Sequence, residues 1–448
     1  MGRLHLQPSF KRKAMNEPRV QVGILSRERI DFVLHGSYHA DTIPVSGRQT
    51  AILDQGRIRW GGTLCDELLF TPDDEATDAF DLLQVTIGIG FHWERHEDQR
   101  FRGALRLLVE DGRLTAVNIV PVEAYLTSVI SSEMSATASP ELLKAHAVIS
   151  RSWLLANLQH KSAAPLPTHE DVEGGRLVWY ERDAHTRFDV CADDHCQRYQ
   201  GITRASTDAV RQAVAATRGQ VLAYEGRICD ARFSKCCGGA LEEFATCWAD
   251  TSHPYLRRKR DWTSAGLPDL TQEAEAERWI RSAPDAFCHT TDAHILRQVL
   301  NNYDQETTDY YRWRVEYTQE ELADLVRRRS GTDYGGIVDL VPVARGTSGR
   351  LWKLRIVGTK RTAVIGKELE IRRTLSPTHL YSSAFVVDKT GGCTPEGLPR
   401  RFVLTGAGWG HGVGLCQIGA AVMGEQGYAY DAILRHYYPG ATLEKKYE

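Results

Sequence analysis

Glycine occupies every second position from Gly406 to Gly414, and this pattern strongly constrains the fold of the segment. Because glycine has no side chain, an extended chain built in this way exposes bare backbone along one face. Another backbone segment or a ligand can then approach that face closely. The pattern predicts an extended segment with Trp409 and His411 on the opposite side, where they can stack on a sugar or bond to it. A tightly packed β-segment is the alternative. The spacing does not fit the dinucleotide fingerprint G-x-G-x-x-G.

The charge and hydropathy of the chain exclude several classes of protein. Its 448 residues include 55 Lys and Arg against 58 Asp and Glu, which gives a net charge of −3. No global basic field is therefore expected to hold nucleic acid or anionic lipid. Hydrophobic residues make up 42% and charged residues 25%, as in an ordinary globular protein. No apolar run approaches the roughly 20 residues of a membrane span, and the N-terminal residues lack the apolar core of a signal peptide.

Strand and helix signals segregate along the chain, which predicts an α+β fold. The first hundred residues read as strands, and residues 105–120 predict a hairpin that turns at Asp111-Gly112. Strands return at 338–344, 351–357 and 383–388, whereas the polar stretch before them predicts a helical insertion. The expected organisation is a disordered segment at 1–18, a core over 19–263, a helical insertion at 264–330 and the C-terminal part of the core at 331–448.

Two helices are expected after the hairpin. Pro121 is suited to the first position of a helix that runs from Val122 towards Met134. Ser139 is suited to cap a second helix that reaches about Leu158. These two helices form the expected helix pair of the fold, and a groove is expected beside them.

Glu133 is the first candidate catalytic residue. It follows Leu126, Val129 and Ile130 by seven, four and three residues, which places it on the apolar face of the first helix. A carboxyl group there loses hydration, which raises its pKa from about 4.3 towards the ~6–7 suited to a general acid. The alternative is a glutamate that points from the helix end into solvent.

Four potential metal ligands lie within twelve residues, at His185, Cys191, His195 and Cys196. Two imidazoles and two thiolates complete the tetrahedral shell that structural zinc prefers. Neighbouring side chains tend to diverge, so one residue of the His195-Cys196 pair is a candidate to lie outside the shell of direct metal ligands. A surface loop with incidental Cys and His is the alternative.

A second group of cysteines competes with the first for metal. Its members are spread from 229 to 247: Cys229, Cys236, Cys237 and Cys247. Buried thiols and a disulfide are the open interpretations. Clustered cysteines in a long chain without a visible export signal favour metal or buried thiols over a disulfide framework.

Long motifs in a fixed order resemble the SpoIID/LytB family, which groups sporulation stage II protein D with amidase enhancers. They lie at 120–154, 217–239 and 408–443, with a further match at 347–359, and the resemblance covers about 19–443. The family's serine-rich segment reads Ser234-Lys-Cys-Cys-Gly-Gly here, and Cys416 replaces its usual serine after H-G-V-G-x.

The resemblance implies a lytic transglycosylase that acts on peptidoglycan strands stripped of their stem peptides. The family's catalytic glutamate corresponds to Glu133, and its zinc site corresponds to the stretch from His185 to Cys196. Four further residues are expected to line the groove, in addition to Trp409: Arg151, Ser234, His411 and Gln417. A cell-envelope location and an amidase partner are also implied.

The implied reaction needs a single carboxyl group. Protonated Glu133 donates its proton to the oxygen between N-acetylmuramic acid and N-acetylglucosamine. The carboxylate then accepts the proton of the muramic acid C6 hydroxyl, which closes onto C1 to give a 1,6-anhydro sugar. Zinc is structural in this interpretation.

Two other functions stay open. The first is a non-catalytic glycan-binding protein that stimulates an amidase, for which Glu133 is dispensable. The second is a zinc hydrolase, which requires an open coordination position at the metal. Four His and Cys ligands would close that position.

Overall fold

Strands dominate the chain up to Pro121, and helices become frequent after it. The computed structural model describes residues 16–87, 95–135, 137–160, 168–180, 185–193, 195–203, 207–264, 266–299 and 309–448. The expected disordered segment at 1–18 therefore lies outside the described residues, apart from 16–18.

The strands of the described residues range from two to twelve residues in length. They are β1 (Arg19–Arg27), β2 (Arg29–Ala40), β3 (Ile43–Asp54), β4 (Arg57–Trp60), β5 (Thr63–Cys65), β6 (Glu67–Pro72), β7 (Ala79–Ile87), β8 (Arg95–Arg102), β9 (Ala104–Glu110), β10 (Arg113–Pro121), β11 (His169–Val172), β12 (Gly175–Val178), β13 (Val190–Cys191), β14 (Gln220–Tyr224), β15 (Arg227–Ile228), β16 (Phe233–Ser234), β17 (Ala240–Leu241), β18 (Lys259–Arg260), β19 (Arg312–Thr318), β20 (Ile337–Arg345), β21 (Leu351–Gly358), β22 (Thr362–Gly366), β23 (Phe385–Cys393), β24 (Pro399–Ala407), β25 (Leu415–Cys416) and β26 (Thr442–Lys445).

The helices of the described residues lie mostly after the first ten strands. They are α1 (Val122–Glu133), α2 (Pro140–His160), α3 (Asp208–Ala216), α4 (Phe244–Cys247), α5 (Glu273–Ser282), α6 (Ala293–Val299), α7 (Gln319–Ser330), α8 (Glu368–Thr374), α9 (Gln417–Glu425) and α10 (Tyr430–Tyr437). None of them, within the part of the chain that the structure describes, is long and apolar enough to cross a membrane.

The strands form one large sheet and several small ones. The large sheet has the order β13-β1-β10-β9-β6-β2-β3-β4-β5, with β7 and β8 attached through β2. A second sheet has the order β11-β12-β22-β21-β20, and two three-stranded sheets have the orders β15-β14-β26 and β19-β24-β23. Strand pairs β16-β25 and β17-β18 complete the set. This is the mixed fold of strands and helices that the sequence predicted.

The hairpin that leads into the helices is confirmed. Its strands β9 and β10 pair antiparallel, with Arg113 opposite Glu110. Asp111 and Gly112 between them have φ values of 51° and 71°. A two-residue turn of type I′ needs positive φ at both positions, which Asp and Gly tolerate well.

The two helices after the hairpin begin close to the expected residues. α1 starts at Val122, so Pro121 precedes the first helical position instead of occupying it. α2 starts at Pro140, and the hydroxyl of Ser139 accepts the N–H of Leu142 at 3.3 Å. The predicted serine cap is therefore present.

The segment 264–330 is helical only in part. It contains α5, α6 and α7, but β19 pairs along its whole length with β24 of the C-terminal region. The indole N–H of Trp313 on β19 donates to the carbonyl of Gly408 at 3.0 Å. The segment is therefore built into the C-terminal sheet. One face of this strand is exposed, so its sequence is polar. For that reason the sequence did not predict a strand here.

A buried ion pair joins the two helices. The guanidinium of Arg151 on α2 donates to both carboxylate oxygens of Glu123 on α1, at 2.9 and 2.7 Å. Tyr447 near the C-terminus and the N–H of Gly219 donate to the same carboxylate. Arg151 is fully buried, so the expectation that it lines a substrate groove is not met.

Replacing Arg151 with methionine should lower the free energy of unfolding by about 3–5 kcal/mol, because it leaves the Glu123 carboxylate buried without a cation. Lys144→Met is the matched control, since the pair of Lys144 with Glu141 is partly exposed. It should cost less than about 1 kcal/mol. Urea denaturation of both variants measures the difference. Equal stability of the two variants would contradict the assigned role of the buried pair.

His146 is a second buried polar group of α2. Gln417 of α9 lies 3.1 Å from its Nε2 atom and Ser150 lies 3.2 Å from its Nδ1 atom. Burial, followed by the charge of Lys235, lowers the pKa of His146 to about 3. The imidazole is therefore neutral in the folded protein at neutral pH.

This depressed pKa predicts a loss of stability in mild acid. The unfolded chain binds a proton at His146 below pH ~6.5, whereas the folded chain resists protonation down to about 3. The free energy of unfolding therefore keeps its full value above pH ~6.5 as far as His146 is concerned. It decreases as the pH falls towards 3, by about 2 kcal/mol between pH 7 and pH 5. Urea denaturation at both pH values should show a pH dependence that is smaller by this amount in His146→Gln. An unchanged pH dependence in the variant would refute the assignment.

Candidate functional site

Glu133 is the last residue of α1, and its side chain is half-buried. Its Oε1 atom accepts the backbone N–H of Arg198 at 3.4 Å. Burial raises the pKa of the nearby Tyr125 hydroxyl, and the charges of Cys196 and Glu133 raise it further. The carboxylate therefore lies beside the segment from His185 to Gln200, which we call the His/Cys loop.

The His/Cys loop is anchored to the edge of the large sheet. Its strand β13 pairs parallel with β1, with Cys191 opposite Gly23. A side chain at Gly23 would meet the ring of Phe188, because a Cβ atom there would lie 2.6 Å from that ring. The ring of His185 stacks on Phe188, with 4.7 Å between the ring centroids. The absence of a side chain at Gly23 thus leaves the space that the Phe188 ring of the loop occupies.

The four predicted metal ligands converge. Their ligand atoms all lie within 4.8 Å of one another. The Cys196 sulfur is 3.6 Å from His185 Nε2 and 3.5 Å from His195 Nδ1, and the Cys191 sulfur is 4.0 Å from His195 Nδ1. Tetrahedral zinc with these ligands requires sulfur–nitrogen separations of about 3.5 Å. The donor set and its spacing therefore fit zinc.

The adjacent residues His195 and Cys196 both face this centre. The N–H of Cys196 donates to the carbonyl of Asp193 at 3.0 Å, and this turn brings the neighbouring side chains together. The hydrogen bond with Cys196 lowers the pKa of the Cys191 thiol well below its usual value, and the two histidines lower it further. A pocket of about 270 Å³ is lined in part by His185, Cys191 and His195.

The glycine segment is not an extended strand. Four of its glycines have φ between 71° and 90°, in the left-handed region: Gly408, Gly410, Gly412 and Gly414. The expectation of an extended backbone is therefore wrong from Gly408 onwards. The expected close approach of another backbone is correct, since a Cβ atom on Gly414 would lie 2.0 Å from the carbonyl of Arg232.

Arg350 holds this segment in place. Its guanidinium donates to the carbonyl of Gly410 at 3.0 Å and to that of Cys237 at 3.2 Å. A Cβ atom on Gly412 would lie 2.4 Å from the same guanidinium. Arg350 lies in one of the matched motifs, but no local pattern marked it as the contact that the glycines accommodate.

Trp409 belongs to an aromatic cluster. Its ring stacks on Tyr310 with an interplanar angle of 7° and meets the edge of Tyr381 at 85°. Its backbone forms a bridge with Cys236, in which both residues donate and accept. The indole is half-buried, and Tyr310 covers one of its faces.

His411 is held by the backbone around it. Its Nδ1 atom accepts the N–H of Val413 at 3.0 Å, and its ring packs against Trp248. Burial lowers the pKa of the imidazole well below its usual range. Nearby cations lower it further: Arg232, Arg350 and Arg372. The ring is therefore neutral, with one nitrogen already bonded.

Ser234 and Gln417 lie in the interior beside the glycine segment. The Ser234 hydroxyl accepts the N–H of Gly412 at 3.2 Å, and Gln417 is bonded to His146. Both side chains are buried, as is Arg151. Packing of the glycine segment and the helix pair therefore accounts for these three residues, which are not brought to a groove with Glu133.

The second cysteine group is divided between different places. The Cys247 thiol donates to the carbonyl of His411, and burial raises the pKa of Cys229 to about 12. Only Cys236 and Cys237 meet other cysteines, and those are Cys288 and Cys416 from distant segments. The expected grouping of 229 with 247 is therefore wrong, because the sequence spacing does not show which loops fold together.

Helix α6 connects the Glu133 region with the glycine segment. The N–H of Ser135, two residues after Glu133, donates to the carbonyl of Gln298 at 2.9 Å. The ammonium of Lys235, next to Ser234, donates to the carbonyl of Val299 at 2.6 Å. No motif or spacing in the sequence predicts this link through the end of α6.

Comparison with known proteins identifies two family regions in the chain. The SpoIID family, described as Stage II sporulation protein, matches residues 110–224. A domain of unknown function, DUF8618, matches residues 242–414. The first region holds α1, α2 and the His/Cys loop, and the second holds Arg350 and the whole glycine segment.

Curated relatives match most of the chain. Stage II sporulation protein D of Bacillus amyloliquefaciens is 26% identical over 74% of this chain and 76% of the relative. The protein of the same name from Bacillus subtilis gives the same values. An amidase enhancer of Bacillus subtilis is 26% identical over 71% of this chain and 40% of its own length. The resemblance predicted from the motifs is confirmed: the chain carries a SpoIID-family domain and is related along most of its length to stage II sporulation protein D and an amidase enhancer.

Proposed function

We propose that the chain is a lytic transglycosylase that cleaves peptidoglycan strands stripped of stem peptides, with Glu133 as its single acid and base. The main support is the position of Glu133, half-buried at the end of α1 and bonded to the His/Cys loop. The similarity to sporulation protein D adds support for a role in the cell wall.

Glu133 moves one proton in each direction during the reaction. As a carboxylic acid it donates its proton to the oxygen of the glycosidic bond between N-acetylmuramic acid and N-acetylglucosamine. As a carboxylate it then accepts the proton of the C6 hydroxyl, whose oxygen closes onto C1. No water is consumed, so one carboxyl group serves where a glycoside hydrolase commonly uses two.

Both ends of α1 are fixed by contacts that would orient this group. The ion pair of Glu123 with Arg151 holds the first turn, and the N–H of Arg198 holds the Glu133 carboxylate. Proton transfer requires the carboxyl group within hydrogen-bond reach of the substrate oxygen. The helix pair is therefore the proposed catalytic pair, and the proposed groove runs beside the end of α1.

Four ligands would hold zinc in the His/Cys loop: His185, Cys191, His195 and Cys196. Bound zinc would supply order to a loop whose own sequence lacks regular periodicity. Because Arg198 lies two residues after Cys196, this order would extend to the contact with Glu133.

A non-catalytic stimulator of an amidase is the second candidate. The name of one relative, amidase enhancer, favours it, and so does the aromatic surface of Trp409. Such a protein would bind glycan strands and an amidase without a proton donor.

Replacing Glu133 with glutamine should reduce the formation of anhydro-muramyl products by at least about 100-fold, the contribution expected of a general acid. The assay uses purified protein and glycan strands, with and without prior amidase treatment, and products are identified by mass spectrometry. Glu320→Gln on the exposed face of α7 is the matched control and should keep full activity. Circular dichroism checks that the variants are folded.

The other outcomes distinguish the alternatives. Reducing-end products from the wild type would indicate hydrolysis. Absence of cleavage by the wild type, with amidase stimulation retained in Glu133→Gln, would favour the binding protein and refute the transglycosylase.

Replacing Cys196 with serine should remove about one equivalent of zinc and lower the melting temperature, because a structural ion contributes directly to folding. Cleavage should also fall, because the ion would order the loop whose Arg198 N–H holds the Glu133 carboxylate. Cys393→Ser, at an exposed cysteine, is the control and should retain both metal and stability. A Cys196→Ser variant that has lost its zinc but keeps the wild-type melting temperature would contradict a structural ion.

A further inference from the structure

A second group of potential metal ligands lies in the interior, outside the His/Cys loop. We call it the cysteine–aspartate cluster, and its members come from four separate segments: Cys237, Asp261, Cys288 and Cys416. Their ligand atoms all lie within 4.8 Å of one another, and all four residues are buried. The chain thus brings residues up to 179 positions apart to one point.

The distances within the cluster suit one metal ion. The sulfurs of Cys237 and Cys288 are 3.5 Å apart, and the Cys237 sulfur is 3.2 Å from Oδ2 of Asp261. Two thiolates on one tetrahedral zinc ion lie about 3.8 Å apart. An iron–sulfur cluster would need a wider separation, because several iron and sulfide atoms lie between its cysteine ligands.

Asp261 supplies a fully buried carboxylate to the cysteine–aspartate cluster. Tyr437 donates to its Oδ1 atom at 2.8 Å, and His436 lies 3.3 Å from the same oxygen. The ammonium of Lys259 donates to the other ring nitrogen of His436 at 3.1 Å.

Oδ2 of Asp261 faces the thiols. The ammonium of Lys259 is bonded to the His436 ring, which lies between that ammonium and Oδ1 of Asp261. A buried carboxylate costs free energy unless a cation or several hydrogen bonds offset it. A metal ion at the centre of the cysteine–aspartate cluster would offset the charge at Oδ2.

Backbone donors are already directed at the ligand atoms. The N–H groups of Cys237 and Gly419 point at the Cys416 sulfur, at 3.2 and 3.5 Å. The N–H of Cys288 donates to Oδ2 of Asp261 at 3.3 Å. Cys416 caps the first turn of α9, where the helix dipole favours negative charge. Such outer contacts orient ligands and stabilise thiolates.

We propose that Cys237, Asp261, Cys288 and Cys416 bind a second, structural Zn²⁺ ion. Thiolates prefer soft metal ions, and three sulfurs with one carboxylate oxygen complete a closed tetrahedral shell. Binding releases the protons of the thiols to solvent and changes no oxidation state. The ion would cross-link four segments around α9. Cys236, whose thiol is bonded to those of Cys288 and Cys416, lies outside this ligand set.

Zinc content of the full chain tests the proposal independently of the first site. In a Cys196→Ser background, the purified protein should retain about one equivalent of zinc by elemental mass spectrometry. Adding Cys288→Ser should remove it, whereas adding Cys247→Ser, at a buried cysteine outside the cluster, should not. Asp261→Asn keeps the shape of the side chain, and it should weaken zinc retention against a chelator at least about tenfold.

A measurement on the wild type alone covers the case in which these variants do not fold. X-ray absorption at the zinc edge should give about 2.5 sulfur ligands per ion, the mean of two in the first site and three in the second. A value of about 2 with one zinc per chain would overturn the proposal. So would equal zinc retention with and without Cys288, or a disulfide between Cys237 and Cys288 found by mass spectrometry of the unreduced protein.

Discussion

The arrangement of the C-terminal half depends on the hydrogen bonds that the guanidinium of Arg350 donates. It is fully buried and donates to the carbonyls of Gly410, Cys236 and Cys237, which lie on two distant segments. It also donates to the Ser348 hydroxyl, which in turn donates to the buried carboxylate of Glu242. A buried cation is stable only when its donors are satisfied and its charge is offset. The three carbonyls and the path to Glu242 meet that condition, so the segments that carry them are fixed relative to each other.

The glycine segment follows from this arginine. The space beside Gly412 is filled by the guanidinium, and the backbone turns to positive φ at every second residue to pass around it. An L-residue at these positions would be strained in conformation, and at Gly408, Gly412 and Gly414 it would also collide with Arg350 or with neighbouring backbone. The same turns direct Trp409 towards Tyr310 and His411 towards Trp248. The regular spacing of glycine, which resembles a substrate-facing strand in the sequence, therefore reflects packing around a charge.

Local features of this fold could be predicted from the sequence, and long-range pairings could not. The turn at Asp111-Gly112, the cap at Ser139 and the convergence of the His and Cys side chains between 185 and 196 depend on residues within about a dozen positions of one another. The partner of Arg151 lies 28 residues away and that of Cys237 lies 179 residues away. Their meeting depends on how the sheets and helices pack, which periodicity and spacing do not encode. Arg151 was therefore expected in a groove although it lies in the core.

The position of Glu133 depends on both local features and long-range pairings. Its helix is held at one end by the buried pair of Glu123 with Arg151, and its carboxylate is held at the other end by the loop that carries Cys196. The proposed general acid would lose its effect if it were displaced by about an ångström, so the proposed reaction depends on rigidity at both ends of α1. An ion pair can fix the start of the helix because it is enclosed by α2 and the C-terminus. The loop at its end contributes Val190 and Tyr199 to the core, and the proposed metal-ligand shell would add order to the part that carries His185, His195 and Cys196.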